Sequence, residues 1–329
     1  MILTTGLRKS FTFRRGRGKP VHAVRGIDLA VQPREIFGVL GPNGAGKTTT
    51  LRMLATLIRP DGGRAEIAGV DLLTDPGEVR RRIGYVAQGG GTMDGVSARE
   101  ELVMQARMYG IAKTEAADRA QAAVDAFGLA EFGDRHCKTY SGGQRRRVDL
   151  ALGVIHRPRL LFLDEPTVGL DPQSRSQVWA EVRRLRDEGM TVLLCTHYLD
   201  EADGLCDRVG IVDHGRVVAE GTPEQLKKEI SGDAVGLTLH PAELGGAEAV
   251  LRELSWVNRL ERVPGAEDTS GEARDAGELR VYVPDAAAAL PQLLRVLQDA
   301  GVDPVLVQLR RPSLDDVFLA RTGRSLDLG

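Results

Sequence analysis

The feature that most constrains this chain is a glycine-rich stretch that follows a short apolar run. The run Ile36–Leu40 leads into Gly41-Pro42-Asn43-Gly44-Ala45-Gly46-Lys47-Thr48, which matches the pattern G-x-x-x-x-G-K-[ST], and a helical pattern, Thr48–Leu57, follows. Glycines let a backbone approach a polyphosphate closely, and the N–H groups of the loop and of the helix start can donate to it. The pattern therefore predicts a nucleoside triphosphate site, in which Lys47 reaches the β- and γ-phosphates and the Thr48 hydroxyl binds Mg²⁺.

Other short apolar runs alternate with helical patterns, which predicts an α/β fold. The runs are nearly continuous, as in parallel strands that are buried on both faces: Leu160–Leu163, Thr191–Cys195 and Val209–Val212. The helical patterns are Ala98–Tyr109, Thr114–Phe127, Gly143–His156 and Ser174–Glu188. Gly215 predicts the turn of a hairpin over residues 209–220.

Two carboxylates follow the run Leu160–Leu163, at the strand end where open α/β sheets bind ligands. Asp164 is expected to hold Mg²⁺, directly or through water. Glu165 is expected to polarise the water that attacks the γ-phosphate.

Length and charge indicate two domains within the 329 residues. Residues 1–231 hold 34 basic and 30 acidic residues, a net of +4, whereas residues 232–329 hold 10 and 16, a net of −6. We place the boundary at 230/231, with Ser231-Gly232 as linker. The net charge of −2 gives no general attraction to nucleic acid, and no apolar run approaches the ~20 residues of a membrane span. The three scattered cysteines favour the reducing cytoplasm.

The C-terminal residues 231–329 predict a small ferredoxin-like α+β module of order βαββαβ. The predicted elements are strand Val235–His240, helix Ala242–Leu254, strand Trp256–Val263, an acidic loop Pro264–Glu278, strand Leu279–Val283, helix Ala286–Ala300 and strand Pro304–Leu309. A terminal helix, Ser313–Arg321, follows with Ser313 as its N-cap. We expect this module to support dimer formation or regulation, and a ligand-sensing role is the alternative.

Further motifs occur in an order that resembles the ATP-binding cassette (ABC) ATPases over about residues 1–225. They are Phe11 before the first strand, Gln88 after the strand-like Gly84–Ala87, Tyr140-Ser141-Gly142-Gly143-Gln144, Gly169-Leu170-Asp171 and His197. The resemblance implies a P-loop NTPase ABC cassette, with a RecA-like core and a helical signature subdomain at about residues 89–157. It implies ATP and Mg²⁺ as cofactors and ATP hydrolysis as the activity.

The resemblance also assigns roles. Glu165, His197 and Gln88 are the expected catalytic residues, and Thr48, Gln88 and Asp164 the expected metal ligands. The expected nucleotide contacts are Phe11, Gly41, Pro42, Asn43, Gly44, Ala45, Gly46, Lys47, Thr48, Thr49, Ser141, Gly142, Gly143, Gln144 and Asp171. Phe11 or Phe13 stacks on adenine. Gly89-Gly90-Gly91 is either a mobile loop that couples to a membrane partner or an ordinary surface loop.

The segment Arg311–Leu319, together with Thr139–Arg147, is similar to exporter ATPases of the daunorubicin-resistance type. That branch implies a second copy of the chain, in a head-to-tail ATP sandwich, and a separate membrane permease. The implied function is export of a hydrophobic compound or drug. The implied location is cytoplasmic, peripheral on the inner face of the membrane through the permease, with no nucleic acid partner.

Three other functions fit the sequence less well. ABC proteins of translation usually carry two cassettes in a chain. ATPases of DNA repair or chromosomes insert a long coiled coil between cradle and signature, and the 94 positions from Lys47 to Ser141 are too few for one. A catalytically silent scaffold is disfavoured by the intact Lys47, Asp164, Glu165 and His197.

Overall fold

The computed structural model describes residues 1–12, 20–230, 233–263, 277–310 and 312–323. Within them the chain divides into two compact units, of which the first is built on Met1–Pro223 and the second begins at Glu224. The domain boundary at 230/231 stays a prediction, since the linker Ser231-Gly232 lies outside the described residues, as do Phe13 and residues 264–276 of the acidic loop. Among the described helices, none has both the length and the apolar character of a transmembrane span.

The elements of the first unit come first in chain order. They are β1 (Ile2–Phe11), β2 (Val21–Val31), β3 (Ile36–Leu40), α1 (Lys47–Leu54), β4 (Gly62–Ile67), β5 (Val70–Asp71), α2 (Pro76–Arg82), β6 (Ile83–Val86), α3 (Ala98–Met108), α4 (Lys113–Ala126), α5 (Gly142–Val154), β7 (Leu160–Asp164), α6 (Pro172–Asp187), β8 (Thr191–Thr196), α7 (Leu199–Leu205), β9 (Arg208–Asp213) and β10 (Arg216–Gly221). The short helix α8 (Pro223–Lys228) follows at the division.

A six-stranded sheet of order β10-β9-β3-β8-β7-β6 forms the centre of the first unit. Its strands pair in parallel except for β10, which pairs antiparallel with β9 across a turn at His214 and Gly215. Both turn residues have positive φ, 46° and 75°, which suits a tight hairpin. These pairings confirm the predicted parallel sheet and the predicted hairpin. Every residue of β3, β7 and β8 is buried, as expected for strands that are covered on both faces.

A second sheet, of order β2-β1-β4-β5, is antiparallel and was not predicted. In β1 the buried positions Ile2 and Thr4 alternate, but the next buried residue is Leu7, because the register shifts between Thr4 and Leu7. Gly6, with φ of 60°, lies within that irregularity. A bulge of this kind breaks the period of two by which a strand is found in a sequence.

Local backbone chemistry sets the helix ends more sharply than apolar periodicity does. Helix α1 ends at Leu54 rather than at the predicted Leu57, since Thr56 has left-handed backbone geometry, with φ of 62°. Helix α6 begins at Pro172, earlier than predicted, because the Asp171 side chain accepts a hydrogen bond from the Ser174 N–H and caps it.

The second unit contains β11 (Asp233–Leu239), α9 (Pro241–Arg252), β12 (Arg259–Val263), β13 (Gly277–Val283), α10 (Ala286–Asp299), β14 (Leu306–Arg310) and α11 (Leu314–Thr322). Its antiparallel sheet has the order β12-β13-β11-β14. Alternate apolar residues of β11 and β13 are buried against α9 and α10. This is the predicted ferredoxin-like βαββαβ arrangement, and Ser313 caps α11 as expected.

Helix α5 of the first unit lies directly on β6. A Cβ atom at Gly84 would be 2.1 Å from the Gly153 carbonyl oxygen, and one at Gly153 would be 2.8 Å from Val86 Cγ2. The two glycines therefore remove the side chains that would otherwise hold helix and strand apart. At Gly84 the nearest atom is a backbone oxygen, so an added side chain there could be accommodated only by moving the helix or the strand.

We predict that Gly84→Ala lowers the free energy of unfolding of the first unit by about 1–3 kcal/mol, because the added methyl group overpacks a backbone contact. The matched control is Gly77→Ala in α2, where the nearest atom to the new Cβ would be 3.5 Å away. It is expected to be neutral or to stabilise by up to about 1 kcal/mol. Urea unfolding followed by Trp179 fluorescence in a Trp256→Phe background measures both, and equal stabilities would contradict the contact.

Candidate active site

The glycine-rich loop runs from β3 into α1, as the sequence predicts. A Cβ at Gly41 would lie 2.2 Å from the Val212 carbonyl oxygen, and one at Gly46 would lie 2.3 Å from the Ala23 carbonyl oxygen. Gly44 and Gly46 also have positive φ, 81° and 105°. Only glycine meets all of these conditions, so the loop curls tightly and its N–H groups line a concave surface.

Lys47, the first residue of α1, folds back over this loop. Its ammonium group donates to the carbonyl oxygens of Gly41 at 2.7 Å and Pro42 at 3.1 Å. The side chain is only 4% exposed, and its burial lowers the pKa of Lys47. The nearest carboxylate, Glu165 Oε1, lies 3.8 Å away. The buried ammonium is thus held by neutral carbonyl oxygens with partial charge compensation, which leaves it suited to an anionic ligand.

Thr48 and Asp164 meet beside the loop. The Thr48 hydroxyl donates to Asp164 Oδ1 at 2.9 Å, and the Tyr85 hydroxyl lies 3.4 Å from Oδ2. Burial raises the pKa of Asp164, and the hydrogen bond from Thr48 opposes that rise. A hydroxyl and a desolvated carboxylate are hard oxygen donors of the kind that Mg²⁺ prefers, so these residues fit that ion.

Glu165, the residue after β7, is held in an unusual conformation. Its φ is 47°, a left-handed geometry that costs a non-glycine residue roughly 1–2 kcal/mol. Its N–H donates to the Cys195 carbonyl oxygen at 2.9 Å, and its carboxylate accepts from Gln88 Nε2 at 2.8 Å. His197 Nδ1 lies 3.2 Å from Oε1. The structure thus brings together Glu165, Gln88 and His197, which the sequence singles out separately.

These groups open onto one cavity of about 750 Å³. Its wall includes many of the predicted residues: Phe11, Pro42, Asn43, Gly44, Gly46, Lys47, Thr48, Thr49, Gln88, Glu165 and His197. Phe11 pairs with Val21 across β1 and β2 and lies at the rim. Sequence reasoning missed the wall residues Val21, His22, Ala23, Arg25, Val168 and His214. Most of them lie in β2, and His214 lies in the hairpin turn. The residues of β2 could have been found from the sequence only if the antiparallel sheet had been predicted.

The signature segment forms the N-terminal end of α5. Ser141 accepts a hydrogen bond from the Gln144 N–H, and the Gln144 side chain accepts from the Ser141 N–H, which makes a capping box. Ser141 and Gly142 are exposed, while Gly143 is buried. A Cβ at Gly143 would lie 2.5 Å from Ser174 Oγ, on the helix that Asp171 caps. The signature and Asp171 are therefore neighbours.

The structure does not bring these residues to the cavity of their own chain. Among the described residues, the cavity wall includes none of Ser141, Gly142, Gly143, Gln144 or Asp171. Hydrogen bonds from Ser174 lower the pKa of Asp171, so its exposed carboxylate is ionised while it caps α6.

Comparisons with known proteins match both units. The sequence profile of the ABC transporter family matches residues 24–168, and that of the C-terminal domain of DrrA1-3-like ATP-binding proteins matches residues 221–322. The daunorubicin/doxorubicin resistance ATP-binding protein DrrA of Streptomyces peucetius is 45% identical over 328 residues, 99% of this chain and 93% of that protein. The chain belongs to the ATP-binding proteins of ABC transporters.

Other relatives agree with this membership. The doxorubicin resistance ATP-binding protein DrrA of Mycobacterium tuberculosis is 39% identical over 98% of this chain and 93% of that protein. The dimeric structure of MJ0796, a bacterial ABC transporter cassette, superposes with a TM-score of 0.60 at 25% identity. It covers 68% of this chain and 98% of that chain. This ABC protein is an ATPase that binds ATP in a P-loop fold.

We predict that Asp164→Asn stabilises the ABC cassette in the absence of ligand and abolishes ATP turnover. The amide oxygen still accepts from Thr48, whereas the buried charge is gone. A carboxyl whose pKa is raised on folding opposes folding once pH exceeds its unfolded value of about 3.9. The gain should therefore be present at pH 7 and shrink as pH falls toward that value.

Urea midpoints at neutral and acidic pH measure this effect. Asp71→Asn is the opposite control, because backbone hydrogen bonds from Thr74 and Leu73 lower the pKa of Asp71. Removal of this carboxylate charge should not stabilise the protein. A destabilised Asp164→Asn protein at pH 7 would contradict the conclusion that burial of the Asp164 carboxylate opposes folding.

Proposed function

We propose that this ABC ATPase powers the export of a hydrophobic compound or drug through a separate membrane permease. The observation that carries the proposal is the near full-length match, across both units, to a relative named for daunorubicin and doxorubicin resistance. The intact cluster of Glu165, Gln88 and His197 beside the cradle supports an active engine rather than a silent scaffold.

In this function, ATP occupies the 750 Å³ cavity. Phe11 stacks on the adenine at the rim, and the N–H groups of Gly41–Thr49 surround the phosphates. Lys47 exchanges its two carbonyl partners for the β- and γ-phosphates. Thr48, Asp164 and Gln88 would hold Mg²⁺, which would neutralise charge on the phosphates when bound.

Glu165 orients a water molecule and accepts its proton. The contacts from Gln88 and the Cys195 carbonyl fix the Glu165 backbone and carboxylate before any ligand arrives. Such preorganisation keeps the carboxylate from having to find its place during the reaction. His197, next to the same carboxylate, contacts the γ-phosphate.

A second copy of the chain completes each site. Ser141, Gly142 and Asp171 are exposed. Among the described residues, the wall of the chain's own cavity includes none of these three, nor Gly143 or Gln144. The N-terminal end of α5 offers N–H groups and a partial positive charge to an anion. We propose that it meets the γ-phosphate bound by the other protomer, in a head-to-tail dimer that ATP closes and hydrolysis opens. The dimeric solved cassette supports pairing with a second copy.

The permease couples to the segment from Gln88 to Gly91. This segment starts at the catalytic cluster, so a displacement of it is transmitted to Glu165 through the hydrogen bond that Gln88 donates. The location that follows is cytoplasmic, peripheral on the inner face of the membrane. We assign residues 1–230 to the ABC ATP-binding domain, about 89–157 to its helical subdomain, and 231–329 to an accessory domain for dimer support or regulation.

We expect Glu165→Gln to bind ATP, to lose turnover and to accumulate as a dimer. The amide keeps the size of the side chain but cannot accept a proton, so a loss of about 10²–10⁴-fold in kcat is expected. Phosphate release measures turnover, and size-exclusion chromatography with ATP measures the dimer. The control is Glu131→Gln, an exposed glutamate. A Glu165→Gln monomer that hydrolyses ATP rapidly would contradict both the role of Glu165 as general base and the ATP-bound dimer.

Purification of the tagged chain from membranes tests the transport role. We expect a multi-span membrane protein to copurify, and cells that express both chains to export doxorubicin, used as the fluorescent probe. The Glu165→Gln chain serves as the inactive control in the same cells. Recovery of ribosomes or DNA in place of a membrane protein would favour a translation or repair ATPase and overturn the transport function.

A further inference from the structure

Arg146 lies two residues after the signature glutamine, on the buried side of α5, and is 5% exposed. Its guanidinium donates to backbone carbonyl oxygens on two separate loops. Nε donates to Pro166 at 2.6 Å, and Nη2 donates to Asp164 at 3.3 Å and Glu165 at 3.2 Å. Nη1 donates to Ala87 at 2.8 Å, the residue before Gln88. One side chain thus holds the backbone around both the carboxylate pair and Gln88.

Asp149 lies one turn further along α5 and holds the other end of the Gln88 loop. Its Oδ1 accepts from the Gly91 N–H at 2.8 Å, and Arg146 Nη1 lies 3.9 Å from its Oδ2. Gly90, with φ of 73°, would bring a Cβ within 2.8 Å of the same carboxylate. Arg146 and Asp149 together therefore bracket Gln88 from before and after.

This pair is costly to bury. Burial lowers the pKa of Arg146 and raises the pKa of Asp149, and both side chains are more than nine-tenths buried. A buried charge is tolerated only when hydrogen bonds and an opposite charge replace water. The carbonyl oxygens around Arg146 replace its water only while both loops keep the backbone conformation seen here. The guanidinium therefore favours one joint arrangement of the two loops.

The C-terminal end of α5 is fixed independently of Arg146, because the glycines Gly84 and Gly153 let it pack directly against β6. Its first turn bears the exposed Ser141. Within the first two turns of α5, Arg146 supplies a direct hydrogen bond to the Glu165 backbone carbonyl, through which a displacement of the first turn can reach Glu165.

We propose that Arg146 is a positioning residue, which ties the signature end of each chain to that chain's own Glu165 and Gln88. The inference rests on the proposed ATPase function and deepens it. Engagement of the signature by the partner's nucleotide is transmitted through Arg146 to the carboxylate of the other site. The two sites of the dimer are thereby coupled within one helix.

The neighbouring arginines provide the control. Arg145 forms an ion pair with Asp94, and Arg147 donates to the Gly128 carbonyl oxygen and lies over the Phe132 ring. Arg147→Lys removes a guanidinium from the same helix turn without touching either loop.

Arg146→Lys keeps the charge and loses the fork that reaches several carbonyl oxygens at once. We expect kcat per binding-competent site to fall by about 10²-fold, since small misplacements of catalytic groups have effects of that size. The dissociation constant of a fluorescent ATP analogue should change by less than about threefold, because cradle and Lys47 are untouched. Arg147→Lys should keep the wild-type kcat.

A merely structural role would lower the melting temperature and the number of competent sites, but not kcat per competent site. Wild-type kcat per site in Arg146→Lys would overturn the inference while leaving the ATPase intact. Absence of hydrolysis in the wild type and in Arg147→Lys would instead defeat the proposed function. Should Arg146→Lys fail to fold, Arg146→Gln, with a single amide donor, is judged by the same two measurements.

Discussion

The site depends on backbone contacts that only glycine permits. At Gly41 and Gly46 the cradle touches carbonyl oxygens of β9 and of β2, strands that belong to two different sheets. The Gly215 N–H adds a hydrogen bond to the Ala45 carbonyl oxygen at 2.9 Å. The loop is thus where the parallel and antiparallel sheets meet. A side chain there would separate the sheets as well as spoil the phosphate cradle, so fold and function share one constraint.

Around this loop several charged side chains are buried, which lowers the stability of the fold. Lys47, Asp164 and Glu165 are buried close together, and Glu165 adopts a backbone conformation that only glycine enters freely. Each is held by partners that a ligand can replace or supplement. Strain and desolvation of this kind are typical of functional sites, where they persist because the surrounding fold holds them.

Much of the architecture follows from the sequence, because buried parallel strands are continuous apolar runs and the cradle has a fixed spacing. The antiparallel sheet of β2, β1, β4 and β5 did not, since the irregularity at Gly6 breaks the alternation of buried and exposed residues in β1. The catalytic cluster was found as single residues, and its contacts depend on strand order. The role of Arg146 was not predicted, because in a sequence a buried arginine that binds backbone carbonyl oxygens cannot be told from its neighbours Arg145 and Arg147.

The capping box at the start of α5 has a consequence for what the signature can recognise. One lone pair of the Ser141 hydroxyl oxygen accepts from the Gln144 N–H, and the hydroxyl proton stays available to donate to a ligand. Aspartate would cap the helix equally well, yet it would present only negative charge. Serine therefore caps the helix and can still donate a hydrogen bond to an anion, whereas aspartate at this position would repel one.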